Sequence, residues 1–261
     1  MQTDLAEMAD TARFIVDLDG TLIRGGQLVP GASEMLRVID ERFVIVSNNS
    51  TDTAASLARS LGHLGLAIEQ DRLILAGEHT VRFMAEQYPM ARILLIGSRV
   101  IRHYAKHRLK LTLVRDGADF VVLARDTNFD YAALTLVVNE LRRGARLVVT
   151  NPDLSHPADE GQVVPETGTL MKAITACAGV EPTHLIGKPA ETLFVEGLKR
   201  LRAQPADAVV IGDNLATDAA GASKLGMRFI LAGTVEPLCR MSTGVNTVAG
   251  PIGASARSLA K

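Results

Sequence analysis

Short apolar runs alternate with longer segments of helical periodicity along most of the chain. The runs include "RFIVD", "RFVIVS", "RILLIG", "FVVLA", "RLVVT" and "AVVIGD", each short enough to be a buried strand. Between two of them, "DTAASLARSLGHLG" carries Leu57, Leu61 and Leu64 at the spacing of one helix face. Strands that alternate with helices predict an α/β fold with largely parallel sheets.

Polar side chains follow four of the predicted strands. Asp17 and Asp19 follow "FIV", Ser47 follows "VIV", Lys188 follows "LIG" and Asp213 follows "VVIG". In doubly wound sheets the ligand crevice lies at the carboxyl ends of the strands. We therefore expect three carboxylates, an ammonium group and a hydroxyl group to share one crevice.

The segment between residues 50 and 187 contains none of these strand-end motifs. It has strand candidates of its own, near 93–96, 110–114, 119–124 and 146–150. So many strands exceed what one small open sheet holds. We predict a Rossmann-like, doubly wound core formed by residues 1–82 and 184–261, with an α/β cap inserted at 83–183.

Composition limits the classes of partner. The 261 residues are 47% hydrophobic and 22% charged, with a formal net charge of −1, so the chain has no general attraction for nucleic acid or anionic membranes. Its two cysteines are far apart, and its first residues lack the pattern of a secretory signal. We expect a cytoplasmic protein without nucleic acid or membrane partners.

Three carboxylates in one crevice repel each other unless a cation lies among them, and oxygen ligands of this kind suit Mg²⁺. With Mg²⁺ and Lys188 present, the crevice would attract a phosphate dianion despite the slight negative charge of the chain. The residues alone thus favour a metal-assisted phosphate site.

The order of "DLDGTL", "VSNNS", "GKP" and "GDNLATD" resembles the haloacid dehalogenase superfamily of phosphotransferases. The insertion that carries "TNPDLSHPADEGQVVPETGTL" is similar to that of the NagD-like branch, and the likeness extends from about residue 13 to residue 235. The resemblance implies a Mg²⁺-dependent phosphomonoesterase for a small phosphate ester: a sugar phosphate, a nucleoside monophosphate, pyridoxal phosphate or phosphoglycolate. A homodimer is consistent with it.

The resemblance also implies roles for the residues that act on phosphorus. Asp17 would be the nucleophile that forms an aspartyl-phosphate, and Asp19 would protonate the leaving alcohol and then deprotonate water. Ser47 and the backbone N–H of Asn48 would hold phosphoryl oxygens. Lys188 would neutralise charge on the phosphate and the nucleophile.

The metal ligands implied by the resemblance are Asp17, Asp19 (through its backbone carbonyl) and Asp213. Asn214 and Asp218 would support the metal site. For Asp218 the alternative is an acidic residue that only stabilises a helix N-terminus.

The segment "TNPDLSH" of the insertion has two interpretations. Asn151, Asp153 and His156 either form a turn, for which "NPD" is a strong signal, or belong to a substrate loop over the phosphate crevice. Arg125 and Asp126 follow another predicted strand and are weaker candidates for the same space.

Two other patterns do not indicate a site. Around Lys188 of "LIGKP", Pro182 and Pro189 stand where a nucleotide P-loop needs glycine and a hydroxyl residue. His103 and His107 are four residues apart, but Tyr104 replaces the glutamate of the zinc protease motif. We predict a solvated basic helix face there.

Three alternative activities remain on the same fold. A dehalogenase is disfavoured because that chemistry needs neither Mg²⁺ nor Asp19. A phosphomutase would keep both aspartates but return the phosphoryl group to a second hydroxyl group. A phosphate-ligand sensor would bind without turnover, although sensors commonly lose the nucleophile.

Overall fold

The computed structural model describes residues 12–157 and 162–232. The strands are β1 (Arg13–Val16), β2 (Ile23–Arg24), β3 (Gln27–Leu28), β4 (Phe43–Ser47), β5 (Leu73–Leu75), β6 (Arg92–Ile96), β7 (Thr112–Leu113), β8 (Phe120–Leu123), β9 (Arg146–Val149), β10 (Ser155–Pro157), β11 (Val163–Pro165), β12 (His184–Leu185), β13 (Ala208–Gly212) and β14 (Arg228–Leu231). The helices are α1 (Ala32–Ile39), α2 (Ala54–His63), α3 (Ala76–Gln87), α4 (Arg99–His103), α5 (Tyr131–Arg142), α6 (Thr167–Ala178), α7 (Thr192–Leu201) and α8 (Ala220–Lys224). Two π-helical segments, Tyr104–Arg108 and Leu215–Ala219, follow α4 and precede α8.

The first sheet has the strand order β14-β13-β1-β4-β5, and its strands are parallel. In the central strand β1, Ile15 pairs with Val210 on one side and with Val44 on the other. Strands β4 and β13 are buried at every position, as expected for a parallel sheet with both faces covered. The carboxyl ends of β13, β1 and β4 therefore lie side by side.

The second sheet has the strand order β12-β9-β8-β6-β7 and is also parallel. Strands β6 to β9 coincide with the strands predicted between residues 93 and 150, and two parallel sheets with helices confirm the predicted α/β class. Strand β12 lies just beyond residue 183, yet it pairs with β9 through His184–Val148 and Leu185–Val149. The pairing thus extends the second sheet past the predicted boundary; the division into domains itself stays a prediction.

One apolar cluster joins the two sheets. It contains Ile15 and Val46 of the first sheet, Phe120 and Val148 of the second, and Phe194 of α7. Burial of such side chains is the main favourable contribution to folding, so a shared cluster fixes how the sheets sit against each other. The other face of the second sheet packs on α5 and α6 in a separate cluster.

No helix within residues 12–157 and 162–232 combines the length and the apolar character needed to span a membrane.

Candidate active site

The strand ends of the first sheet bring together residues that are far apart in sequence. Asp17 follows β1, Asp213 follows β13, and Ser47 is the last residue of β4. Because β1 lies between the other two strands, these residues occupy one edge of the sheet. Lys188 reaches the same edge from the second sheet, three residues after β12 ends.

The Lys188 ammonium group lies between two buried carboxylates. Its Nζ donates to Asp17 Oδ1 at 2.6 Å and to Asp218 Oδ1 at 2.7 Å. The hydroxyl of Thr21 donates to the other oxygen of Asp17 at 3.1 Å. Since the Lys188 side chain is only 4% exposed, this cation could not remain charged without those partners.

Burial and charge act against each other in this group. Burial raises the pKa of Asp17 to about 7, although the ammonium group of Lys188 opposes the shift. Burial alone would lower the pKa of Lys188, but the carboxylates of Asp17 and Asp218 outweigh it and hold that pKa above its usual value. Lys188 therefore stays an ammonium ion beside the carboxylate of Asp17.

Three carboxylates form a cluster that fits a divalent cation. Asp17, Asp213 and Asp218 each offer an oxygen, and these oxygens lie within 4.8 Å of one another. Burial and then the charge of Asp218 raise the pKa of Asp213, although the ammonium group of Lys188 opposes the shift. Such a set of hard oxygen donors suits Mg²⁺.

The carboxylate of Asp19 lies outside this cluster. Ser47 Oγ donates to Asp19 Oδ2 at 3.2 Å and accepts from the backbone N–H of Asn49 at 3.0 Å. Burial raises the pKa of Asp19, with the Ser47 hydrogen bond opposing it. The third side chain of the carboxylate cluster is thus Asp218, whereas the sequence suggested Asp19. Ligation of a metal through the Asp19 carbonyl stays a prediction. Ser47 itself is buried beneath Asp19.

Asn48 joins Lys188 to the inserted segment through its side chain, a role not visible in the sequence. Its Oδ1 accepts from the backbone N–H of Lys188 at 2.7 Å, and its Nδ2 donates to the Lys188 carbonyl at 3.0 Å. The same Nδ2 donates to Asp153 Oδ2 at 3.0 Å. The amide therefore fixes the backbone that carries the ammonium group.

The residues of "TNPDLSH" take different positions in the structure, and the substrate-loop interpretation stays a prediction. Asn151 is buried, donates to the Asn48 carbonyl at 3.0 Å, and accepts from the N–H of Asp153 at 3.2 Å as in an Asx turn. Asn151 is not among the residues that line the cavity. Asp153 and His156, in contrast, line the cavity.

Asn214 and Asp218 form one small turn. The N–H of Asn214 donates to Asp218 Oδ2 at 3.2 Å, and the N–H of Asp218 donates to the Asn214 carbonyl at 2.8 Å. Asn214 also caps the π-helical segment by accepting from Ala216 N–H at 2.9 Å. Asp218 is thereby oriented toward Lys188 instead of acting only at a helix terminus.

Gly20 leaves room for Asp213. Its φ of +84° lies in the left-handed region, and a Cβ at this position would stand 1.9 Å from Asp213 Oδ2. A side chain at this position would force the carboxylate of Asp213 to move. The glycine of "DLDG" therefore permits both the left-handed turn and the close approach of the Asp213 carboxylate.

A cavity of about 630 Å³ opens above these residues and lies between the two sheets. Asp17, Asp19 and Asp213 line one side. The other side, which we call the cap wall, is formed by Arg125, Asp153, His156 and Glu166. A larger cavity of about 890 Å³ is lined by residues such as Phe43, Arg72 and Arg200 and contains none of the strand-end residues. The chemistry therefore belongs to the smaller cavity.

The remaining candidates have different positions. Arg125 lies on the cap wall, whereas Asp126 forms an ion pair with Arg102 at 3.2 Å and is not part of the cavity lining. His103 and His107 are both exposed, with ring centroids 4.4 Å apart, as expected for a solvated face. Glu166 was not predicted, because no pattern around "PETG" indicates a site.

A family model described as haloacid dehalogenase-like hydrolase matches residues 14–108, and a HAD-hydrolase-like model matches residues 185–235. Dihydroxyacetone phosphatase from Corynebacterium glutamicum is 30% identical over 221 residues, or 84% of this chain and 79% of that protein. The chain belongs to the haloacid dehalogenase-like hydrolases. The two matched segments carry every strand end of the first sheet that lines the cavity.

Comparison with solved structures shows which branch of the haloacid dehalogenase-like hydrolases the chain is similar to. A protein described as a putative NagD protein is 30% identical and superposes with a TM-score of 0.79 over 87% of this chain and 92% of that chain. Glycerol phosphate phosphatase from Mycobacterium tuberculosis, in complex with magnesium, is 28% identical with a TM-score of 0.77 over 88% and 69% of the two chains. These likenesses confirm the NagD-like resemblance and the prediction of an enzyme of this superfamily.

Proposed function

We propose that the chain is a Mg²⁺-dependent phosphomonoesterase that hydrolyses a small phosphorylated metabolite through an aspartyl-phosphate on Asp17. The observation that carries the proposal is the position of Asp17, whose carboxylate lies against Lys188, beside two further carboxylates and at the floor of the cavity. The phosphatases among the relatives, one of them in complex with magnesium, support the same reaction class.

Asp17, Asp213 and Asp218 offer the side-chain oxygens that would hold the metal, with the Asp19 carbonyl as a further predicted ligand. When bound, Mg²⁺ supplies positive charge for the phosphoryl oxygens and lowers the repulsion among the carboxylates. Asn214 keeps Asp218 in place through the turn described above.

Asp17 would attack phosphorus, forming one P–O bond while the bond to the leaving alcohol breaks. Asp19 would give its proton to the leaving oxygen, and burial raises the pKa of Asp19 in the direction that this role requires. Asp19 would then take a proton from the water that cleaves the aspartyl-phosphate. The hydroxyl of Ser47 keeps the Asp19 carboxyl group oriented during both steps.

Lys188 would stabilise charge on the transferred phosphoryl group and oppose protonation of Asp17, whose pKa burial raises to about 7. Its position is fixed twice, by its carboxylate partners at Nζ and by Asn48 at the backbone. Preorganised charge of this kind contributes most of the rate in phosphoryl transfer. The phosphoryl contact assigned to the Asn48 N–H is part of this proposal.

The test is release of inorganic phosphate from p-nitrophenyl phosphate, with and without Mg²⁺, by the wild type and by Asp17→Asn. We expect Mg²⁺-dependent release by the wild type and a loss of roughly 10⁴-fold or more in the variant, because the nucleophile is gone. A matched control is Asp126→Asn, which removes a carboxylate outside the cavity and should keep full activity.

Other outcomes would identify the alternatives. Metal-independent halide release would indicate a dehalogenase. Phosphoryl transfer to a second hydroxyl group without free phosphate would indicate a phosphomutase, and binding of phosphate esters without turnover would indicate a sensor. The cytoplasmic location and the homodimer remain predictions of the sequence.

A further inference from the structure

The cap wall contains three linked side chains from three different elements. Glu166 Oε1 lies 2.7 Å from His156 Nδ1 and 3.3 Å from Arg125 Nε. Arg125 follows β8, His156 lies on β10, and Glu166 directly precedes α6. All three line the cavity whose floor holds Asp17.

Glu166 determines what its two neighbours can offer to a ligand. An ionised carboxylate only accepts hydrogen bonds, so His156 Nδ1 carries a proton in this contact. In the neutral imidazole, Nε2 is then an acceptor. Arg125 Nε is buried and lies near Glu166 as an ion pair without a hydrogen bond, whereas 25% of the Arg125 side chain is exposed, which leaves its terminal N–H donors for a ligand. The wall can therefore both donate to and accept from one ligand group.

The charges of the cap wall disfavour an anion. Arg125 contributes one positive charge and Glu166 its paired carboxylate, while Asp153 adds a second carboxyl group whose pKa is raised by burial. Glu166 already forms the ion pair with Arg125, so the guanidinium charge is largely balanced before a ligand arrives. A carboxylate or a second phosphate on the leaving group would meet this wall with like charge nearby. A hydroxyl group can use both the donors and the acceptor.

We propose that Arg125, positioned by Glu166, determines specificity for the leaving group and selects phosphate esters of short polyols over esters with a second anionic group. The inference rests on the proposed phosphatase function of the same site. Arg125 would contact the hydroxyl groups of the substrate, and Glu166 would act through Arg125 and His156. The cavity volume of about 630 Å³, shared with the phosphoryl group, favours a small leaving group.

The experiment compares kcat/KM for glycerol 3-phosphate, 2-phosphoglycolate and p-nitrophenyl phosphate in the Mg²⁺-loaded full chain. We expect the wild type to prefer glycerol 3-phosphate to 2-phosphoglycolate. Arg125→Leu should lower the ratio of kcat/KM for glycerol 3-phosphate to that for p-nitrophenyl phosphate by about 10-fold or more, because hydrogen bonds from a charged donor are lost. A merely structural role would lower both values equally and leave the ratio unchanged.

Glu166→Gln keeps the shape of the side chain and removes its charge. It should raise kcat/KM for 2-phosphoglycolate relative to glycerol 3-phosphate, because the Arg125 charge is no longer balanced. The matched control is Arg102→Leu, which removes an arginine that pairs with Asp126 away from the cavity. Both substrate ratios should stay at their wild-type values in this variant.

Each result decides one of the two proposals. An unchanged ratio in Arg125→Leu, or an unchanged preference in Glu166→Gln, overturns the specificity role while hydrolysis of p-nitrophenyl phosphate continues. Absence of hydrolysis of all three esters by the wild type contradicts the phosphatase function instead. If Arg125→Leu does not fold, as judged by circular dichroism, Arg125→Lys replaces it; that variant keeps the charge without the planar donors and should also lower the ratio.

Discussion

At the residue scale, the site depends on contacts that allow almost no extra volume. Asp213 approaches Gly20 so closely that a methyl group would overlap its carboxylate. Lys188 is held between Asp17 and Asp218 with little exposure to water. A buried cation of this kind is stable only while both carboxylates keep their positions.

Gly20→Ala should therefore lower phosphatase activity by about 100-fold or more, since a displacement of about 1 Å at reacting groups has an effect of this order. The measurement is kcat/KM for p-nitrophenyl phosphate, together with the Mg²⁺ concentration that gives half-maximal activity, which should rise. The control is Gly26→Ala. Gly26 also has a positive φ, of +72°, but a Cβ there meets nothing within 4 Å, and Gly26 does not line the cavity.

Gly26→Ala should cost about 1–2 kcal/mol of stability from its left-handed backbone and leave kcat/KM nearly unchanged. Equal activity losses in the two variants would mean that backbone strain, not the contact with Asp213, explains the requirement for glycine.

At the element scale, helix α3 contacts the start of α2 and carries a histidine that is influenced by charged residues of α7. Glu78 of α3 accepts from the N–H of Ala54 at the start of α2 at 2.6 Å and pairs with Arg82 at 3.1 Å. The next residue of the same helix, His79, is half-buried. Burial lowers the pKa of His79; Glu196 opposes the shift, while Arg200 reinforces it.

The unfolded chain therefore binds a proton at His79 at a higher pH than the folded protein does. The neutral imidazole of His79 therefore contributes stability that is fully present above the unfolded pKa of 6.5. This stability is lost as the pH falls from 6.5 through the lower pKa of His79 in the folded protein. We expect the difference between the unfolding free energies of the wild type and of His79→Leu to decrease as the pH is lowered from 7 to 5. Urea unfolding at several pH values measures it.

His63→Leu, at the exposed end of α2, is the control for removing a histidine and should not reproduce the decrease. A difference that is constant with pH for His79→Leu would show that this side chain is protonated equally in both states.

At the scale of the whole molecule, the two sheets share one apolar cluster and several polar contacts. Besides the Asn48 contacts, Ser50 and Thr167 exchange a hydrogen bond at 3.3 Å, and Ser98 Oγ donates to the Thr51 carbonyl at 2.5 Å. The loop after β4 is therefore bonded to the second sheet along most of its length. Such extensive contact favours a single cooperative unfolding unit.

We predict coincident urea transitions for the whole chain and for the second sheet. Far-UV circular dichroism reports the former. A fluorophore on Cys177, which is exposed on α6, reports the latter in a Cys239→Ser variant that has no other cysteine. Midpoints that differ by more than experimental error would show that the second sheet unfolds independently. Repeating the pair with excess Mg²⁺ should move both midpoints upward together, because the metal binds the folded state.

The amino-acid sequence by itself determined the α/β class, the strands of both sheets, and the strand ends at which Asp17, Asp213 and Ser47 lie. It could do so because buried parallel strands have a short apolar pattern and because residues after such strands meet at one edge. Only the tertiary structure decided that Asp218 completes the carboxylate cluster, that β12 carries Lys188 from the second sheet, that Asn151 holds a turn, and that Glu166 joins Arg125 to His156. These contacts join side chains that are distant in sequence or whose orientation depends on packing, and no local periodicity records which of them will touch.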